Sequence, residues 1–244
     1  MTTIHKSAVQ FNHVHYSVDG TQILKNITDS FFEGKITTLV GPSGAGKTTL
    51  LKLCNGLLSP NSGEIFIKDK IITSYEPVEL RRLVGIALQS APMIDGNVFK
   101  NLSLPLHLQG KQLSEDVALD LLNDVGLDEE FLYRKTKDLS GGQRQKVSIA
   151  RTLVNHPQIL LLDEITASLD RISTQEIEEL IMKINRKYGT TIIWITHNLD
   201  QASTIGNYTW VMMGGEVIET GESDLLNSPV NEQVKRFVKG EEGE

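Results

Sequence analysis

The chain has 244 residues, 39% hydrophobic and 23% charged, the composition of an ordinary globular protein. A formal net charge of −7 argues against nucleic acid as a partner, since a phosphate backbone calls for a basic surface. The single cysteine, Cys54, cannot form an internal disulfide and reads as a small buried residue in a reducing compartment.

At the N-terminus, Met1–Val14 lacks the apolar core of a secretory leader, and no later run approaches the roughly 20 apolar residues of a membrane span. The chain is therefore expected to be soluble, with any membrane role held through a partner. Val9–Tyr16, Asp19-Gly20 and Ile23–Ile27 read as a hairpin with its turn. Ile36–Val40 predicts a buried strand running into a glycine-rich turn, and Lys47–Asn55 a helix that stops near Gly56. Ile65–Ile67 and Ile71–Ile72 flank Asp69-Lys70 as a second hairpin, and Val84–Leu88 is a further strand. From about Ala91 to Asp138 there is no strong strand. Within that stretch Ala118, Leu121, Leu122 and Val125 share one helical face, so it reads as a helical insertion. Strands return at Ile159–Leu162, Thr191–Ile195 and Thr209–Met213, with a helix carrying Ile177, Leu180, Ile181 and Ile184 after the first. The acidic, glycine-bearing tail Gly240–Glu244 is expected to fray. Alternating strands and helices without repeats predict an α/β fold around a mostly parallel sheet.

The residues Gly41, Pro42, Ser43, Gly44, Ala45, Gly46, Lys47 and Thr48 match G-x-x-x-x-G-K-[ST] between a predicted strand and a predicted helix. Small residues let backbone N–H groups converge on phosphate oxygens, and the helix N-terminus adds partial positive charge at the same point. Lys47 supplies a full charge for the β- and γ-phosphates, while Thr48 offers a hydroxyl to Mg²⁺. Thr49 completes the stretch expected to bind ATP. Further on, the apolar strand Ile159–Leu162 ends in Asp163-Glu164. A carboxylate ending a core strand faces either solvent or a metal, because burying the charge alone is costly. Beside a phosphate loop, Asp163 is placed to hold Mg²⁺. Glu164 is expected to point differently by strand alternation and to orient the attacking water.

Leu139-Ser140-Gly141-Gly142-Gln143 opens another helix, Arg144–Val154, with a hydroxyl and backbone N–H groups at its start. The residues alone leave open an ordinary capped helix or a second anion-facing helix entry. Followed by Arg-Gln-Lys-Val, and lying between the phosphate loop and the acidic strand, this segment resembles the signature motif of ABC ATPases. The resemblance spans roughly Val9 to Leu226. It implies a P-loop NTPase core with an antiparallel β subdomain, about residues 1–90 and 139–244, and an inserted helical subdomain, about 91–138. It implies that Gln89 touches Mg²⁺ and senses a membrane permease, that His197 contacts the γ-phosphate, and that Tyr16 stacks on adenine. Asp170 resembles the aspartate that crosses the dimer interface. Ser140, Gly141, Gly142 and Gln143 would meet ATP held by a second copy's phosphate loop. The expected activity is ATP hydrolysis by a homodimer with ATP and Mg²⁺, peripheral at the cytoplasmic face of a membrane beneath its permease.

Four positions depart from the common pattern without removing a catalytic group: Ile165 for proline, Ala167-Ser168 for the reverse order, and Asn198 for aspartate. A P-loop kinase or GTPase has no use for Leu139–Gln143, and a DNA-repair relative needs a long coiled coil that is missing here. A soluble ATPase of Fe–S cluster assembly is a remaining alternative. The segments Gln89–Leu102 and Asp163–Thr166 are similar to small bacterial ATPases implicated in iron export, whereas the phosphate loop and general layout also resemble phosphate importers. Met93, Ile94, Val98 and Phe99 are candidates for permease contact or for core packing. His13 and His15 share a strand face without a third ligand and read as structural.

Overall fold

The computed structural model describes residues 5–241; the expectation of a frayed tail falls partly on residues 242–244, outside the described residues. The hairpin of β1 (Ser7–Val18) and β2 (Thr21–Phe32) turns on Asp19-Gly20, both at positive φ, the two-residue form that matches strand twist. The sequence pattern underestimates both strands. β4 (Ser62–Ile67) and β5 (Lys70–Ile71) form the second hairpin. Its turn is Lys68-Asp69, one residue earlier than expected, because those two residues carry the positive φ. These strands make a sheet in the order β2-β1-β4-β5, antiparallel throughout.

The second sheet runs β10-β9-β3-β8-β7-β6. Its strands are β3 (Ile36–Val40), β6 (Val84–Leu88), β7 (Ile159–Asp163), β8 (Thr191–Ile195), β9 (Tyr208–Met213) and β10 (Glu216–Glu222). All neighbours are parallel except β9 and β10. β10 escapes the sequence pattern because Glu216, Glu219 and Glu222 interrupt it at the sheet edge, where charge is tolerated.

Both faces of this sheet are covered, which is why its central strands read as unbroken apolar runs. On one face Leu160, Leu162, Ile192 and Trp194 pack with helices. On the other Ile159, Leu161, Ile193 and Ile195 join Phe11, Phe31 and Leu24 of the antiparallel sheet. The helices are α1 (Lys47–Cys54), α2 (Pro77–Leu83), α3 (Val98–His107), α4 (Glu115–Asp124), α5 (Gly141–Leu153), α6 (Arg171–Tyr188), α7 (Leu199–Ile205) and α8 (Glu232–Val238). α4 buries Ala118, Leu121 and Leu122, and α6 buries Ile177, Leu180, Ile181 and Ile184, the faces their spacing predicts. Between β6 and α5 the described elements are α3, α4 and short 3₁₀ turns, tied by one isolated bridge between Asn97 and Lys135. No helix among the described residues is long and apolar enough to cross a membrane.

Candidate functional site

Parallel strands deliver their C-terminal ends to one edge of a sheet, where ligands of open α/β folds bind. Here that edge collects the phosphate loop after β3, Thr196-His197 after β8, Asp163 ending β7 with Glu164 just past it, and Gln89 after β6. Register places Leu88 opposite Asp163, and Asp163 opposite Ile195, so three loops leave the sheet at one level.

Gly41 leaves β3 at a φ of +144°, and a Cβ there would lie 1.9 Å from the carbonyl oxygen of Met212. Only glycine lets the loop turn so close to β9. Pro42, Ser43, Gly44, Ala45 and Gly46 follow, with Ser43 and Gly44 exposed and Ala45 buried. Gly46 is the N-cap of α1 and supplies no side-chain acceptor. The N–H groups of Lys47, Thr48 and Thr49 therefore lack helical partners and remain donors for an anion. Lys47, only 5% exposed, donates from Nζ to the carbonyl oxygens of Gly41 at 2.7 Å and Pro42 at 2.9 Å. Burial lowers its pKa, and the nearby carboxylates of Glu164 and Asp163 oppose that shift.

Thr48 Oγ1 donates to Asp163 Oδ1 at 3.1 Å. Burial raises the Asp163 pKa against this hydrogen bond; Glu164 adds to the rise, while Lys52 and Lys47 oppose it. A hydroxyl and a carboxylate oxygen in contact are the hard oxygen donors Mg²⁺ prefers. Among the described residues no group of three or more His, Cys, Asp and Glu side chains is arranged to hold a metal ion. His13 Nδ1 lies 2.8 Å from Asn26 Oδ1, and His15 Nδ1 lies 3.1 Å from Gln22 Nε2.

Glu164 is not part of β7. Its φ is +50°, and its N–H donates to the carbonyl of Ile195 at 3.1 Å. Its direction comes from this bend rather than from strand alternation, which corrects the reason given for it from sequence. The bend brings Oε1 within 2.7 Å of His197 Nε2. Tyr16 pairs with Leu24, whose side chain lies against Gly46, so the antiparallel sheet carries this half-buried ring to the margin of the phosphate loop. Gln89 is exposed just past β6, beside the acidic end of β7.

The second glycine-rich start stands apart. Ser140 caps α5 in a reciprocal box: its Oγ accepts from Gln143 N–H at 3.2 Å, and Gln143 Oε1 accepts from Ser140 N–H at 2.9 Å. Among the described residues Ser140 Oγ only accepts, which leaves its hydroxyl hydrogen available to donate. Gly141 and Gly142 abut Leu169 and Ser173, where a Cβ on Gly142 would lie 2.9 Å from Ser173 Oγ. Asp170 caps α6, accepting from the N–H groups of Ile172 and Ser173 and from Ser173 Oγ. Hydrogen bonds from the Ser173 backbone and hydroxyl hold its carboxyl below the usual range. Among the described residues no hydrogen bond or ion pair joins Ser140–Gln143 to the phosphate loop. The site residues thus fall into two groups, one on the sheet edge and one at the starts of α5 and α6.

Sequence reasoning missed Thr196, Gln145 and Gln201. Thr196 is buried and accepts from Asn198 N–H at 3.0 Å. Gln145 Nε2 donates to the Leu88 carbonyl at 3.3 Å, linking α5 to the end of β6 just before Gln89. No sequence signal singled out Gln145, whose face of α5 also carries Ser148 and Thr152. Of the candidates for permease contact, Val98 is fully buried, and Met93 and Phe99 pack against the core. Asn101 holds both backbone groups of Ile94. A groove of about 450 Å³ instead exposes Val78, Leu104, Pro105 and Leu108 beside Arg81, Arg82 and Arg151.

A family model described as ABC transporter matches residues 24–167. YjkB of Bacillus subtilis (strain 168), assigned by name only to the ABC transporter ATP-binding proteins, is 44% identical over 238 residues, covering 96% of this chain and 94% of its own length. Among solved structures, cbiO1 from Clostridium perfringens, part of the ABC transporter complex cbiONQ, superposes with a TM-score of 0.84 at 30% identity. That match covers 96% of this chain and 98% of cbiO1. The ATP-binding cassette MJ0796, solved as a dimer in a post-hydrolysis state with ADP and Pi, gives a TM-score of 0.77 at 31% identity over 88% of this chain and 98% of that one.

Proposed function

Since this chain belongs to the ABC transporter family, as an ATP-binding subunit and an ATPase, we propose that two copies close over two nucleotides and so drive a partner permease. The fold is the P-loop NTPase core of ATP-binding cassettes. The observation that carries the dimer reading is the separation of the site into two groups. Gly41–Thr49, Asp163, Glu164 and His197 share one sheet edge, while Ser140–Gly142 and Asp170 cluster elsewhere on the same chain. A second copy, bringing its Ser140 segment to this copy's phosphate loop, completes the site. The dimeric MJ0796 with ADP and Pi supports that arrangement by likeness.

In this reading, Tyr16 packs on the adenine and the N–H groups of Lys47, Thr48 and Thr49 hold the phosphates. Lys47 moves its ammonium from its own loop carbonyls to the β- and γ-phosphates. Thr48, Asp163 and Gln89 hold Mg²⁺, which when bound neutralises charge on the phosphates. Glu164 accepts a hydrogen bond from the attacking water and aims it at the γ-phosphorus, and His197 supports Glu164 and reaches the same phosphate. Ser140 of the second copy donates its free hydroxyl hydrogen to the γ-phosphate, and Gly141 and Gly142 add N–H donors.

The stretch from about 91 to 138 acts as a helical subdomain that moves when the copies close, pressing on the permease. The groove formed by Val78, Leu104, Pro105 and Leu108, rimmed by Arg81, Arg82 and Arg151, suits an apolar permease segment flanked by acidic residues. The chain then sits peripherally at the cytoplasmic face of the membrane. For cargo we infer a metal ion of the iron type, exported, supported by the likeness of Gln89–Leu102 and Asp163–Thr166 to that group; phosphate import is the second reading, from the phosphate loop. Size-exclusion with light scattering, on protein carrying Glu164→Gln, tests the dimer: ATP and Mg²⁺ should double the mass. A mass unchanged by saturating ATP removes the two-copy site. Purification from membranes with the bound permease then identifies the transporter, and a protein found only in the soluble fraction favours a soluble assembly ATPase.

A further inference from the structure

Glu164 and His197 both sit in turns beyond strand ends, so something outside the sheet must hold them in register. Behind them lies a cavity of about 400 Å³ lined by Glu164, Thr166, Leu169, Thr196, His197 and Gln201. Gln201, in the first turn of α7, is only 4% exposed. Its Nε2 donates to Glu178 Oε1 on α6 at 2.7 Å and to Thr166 Oγ1 at 3.3 Å. Its backbone N–H donates to Asn198 Oδ1, the cap of α7, at 3.1 Å, and Asn198 N–H donates in turn to Thr196 Oγ1. One side chain therefore joins three parts of the fold: the helix that follows His197, the turn that follows Glu164, and the helix capped by Asp170. The Glu178 bond is charge-assisted, stronger than an ordinary amide contact. A buried amide left without partners is costly, so the bonds to Glu178 and Thr166 hold the side chain in one place.

We propose that Gln201 is a positioning residue for ATP hydrolysis, its amide tying the Glu164–Asp170 turn to α7 so that Glu164 and His197 stay aligned on one water and one phosphate. It rests on the assignment of Glu164 and His197 to the hydrolytic step. Gln201 touches neither the phosphate loop nor Thr48 and Asp163 through any hydrogen bond. Its loss should accordingly leave nucleotide affinity alone and slow turnover, because catalytic alignment degrades steeply with small displacements.

Gln201→Met keeps length and bulk while removing both donors. Steady-state kinetics should show kcat reduced about tenfold with the KM for ATP within about twofold of wild type. In a Glu164→Gln background the same change should cause no further loss, since a residue acting through Glu164 has nothing left to align. A Gln201→Met protein with full kcat overturns the proposal, as does a loss that multiplies with that of Glu164→Gln. So does a rise in KM that matches the fall in kcat, the mark of general loosening. If Gln201→Met does not fold, Thr166→Val removes only a hydroxyl from a half-buried turn and should also lower kcat selectively. Full kcat in folded Thr166→Val protein then overturns the proposal. Glu164→Gln assayed alone separates the two ideas, because wild-type turnover there removes the Glu164 assignment itself.

Discussion

His197 Nε2 lies 2.7 Å from Glu164 Oε1, across the gap between two loops that leave adjacent parallel strands. A carboxylate accepts when ionised, and the contact then takes the ring nitrogen as its donor. The carboxylate keeps its other oxygen for a water. The contact is partly open, with side-chain exposures of 47% for His197 and 24% for Glu164, so solvent and a phosphate both have access.

Glu164→Gln retains the size of the side chain and removes its basicity. Hydrolysis should fall by at least about 10²-fold, the scale of a lost general base, while ATP binding persists. Single-turnover release of phosphate together with nucleotide titration reads both quantities. Turnover within a few fold of wild type would remove Glu164 from the hydrolytic step.

Lys47 is held over the phosphate loop by two carbonyl groups and carries the charge that phosphates require. Lys47→Ala should reduce turnover by about 10²–10³-fold and weaken ATP binding, since both ground-state and transition-state charge lose their partner. Isothermal titration with ATP and Mg²⁺ measures the first loss directly. Unchanged affinity together with unchanged turnover would sink the phosphate-loop assignment.

What the sequence made legible follows from how each element is buried. Ile36–Val40, Ile159–Leu162 and Thr191–Ile195 stand out because both faces of their sheet are covered. α6 stands out because one face alone is buried, giving a clean helical period. α3 does not: Pro105 lies inside it, and Asn101, a polar residue, is fully buried to hold the backbone of Ile94. α2 and α7 have seven residues each, too few for a period to show. The phosphate loop and the acidic strand end were readable because backbone N–H donors and oxygen ligands demand fixed residue types at fixed spacing. The bend at Glu164 was not, because a positive φ at a glutamate has no sequence signal and is fixed by the Ile195 carbonyl on the neighbouring strand. Gln201 was equally silent, since its side-chain partners, Thr166 and Glu178, come from distant parts of the chain.

Asp124, at the end of α4, is buried and accepts from Lys187 Nζ at 2.5 Å and from the Tyr188 hydroxyl, both at the end of α6. Burial disfavours its charge, but the hydrogen bonds from Lys187 and Tyr188 and the charges of Lys187 and Lys183 prevail and hold its pKa below the ordinary value. A depressed carboxyl pKa gives stability that is complete above the unfolded value of about 4 and fades as pH falls through the folded value. Asp124→Asn should cost about 1–2 kcal/mol at neutral pH, discounted because the Lys187 side chain is half exposed. Urea melts from pH 7 down to pH 3 should show the gap between the two proteins closing as the acid is reached. A gap that stays constant with pH would show that the carboxylate charge plays no part in fastening α4 to α6.

Gly41 offers a sharper test of how the phosphate loop is built. Two separate obstacles meet any side chain there: a backbone φ of +144° and the Met212 carbonyl oxygen, 1.9 Å from where a Cβ would stand. That oxygen belongs to β9, whose position is set by its pairing with β3, so it cannot yield without disturbing the sheet. The loop must move instead. Strain and overpacking together should destabilise Gly41→Ala by about 2–4 kcal/mol. The displaced loop should also carry Lys47 away from its carbonyl partners and lower ATP affinity, so the stabilising shift in melting temperature caused by saturating ATP should shrink in parallel. Thermal melts with and without ATP distinguish the contributions. A Gly41→Ala protein that melts with wild type and gains as much from nucleotide would mean the loop has room that this packing denies.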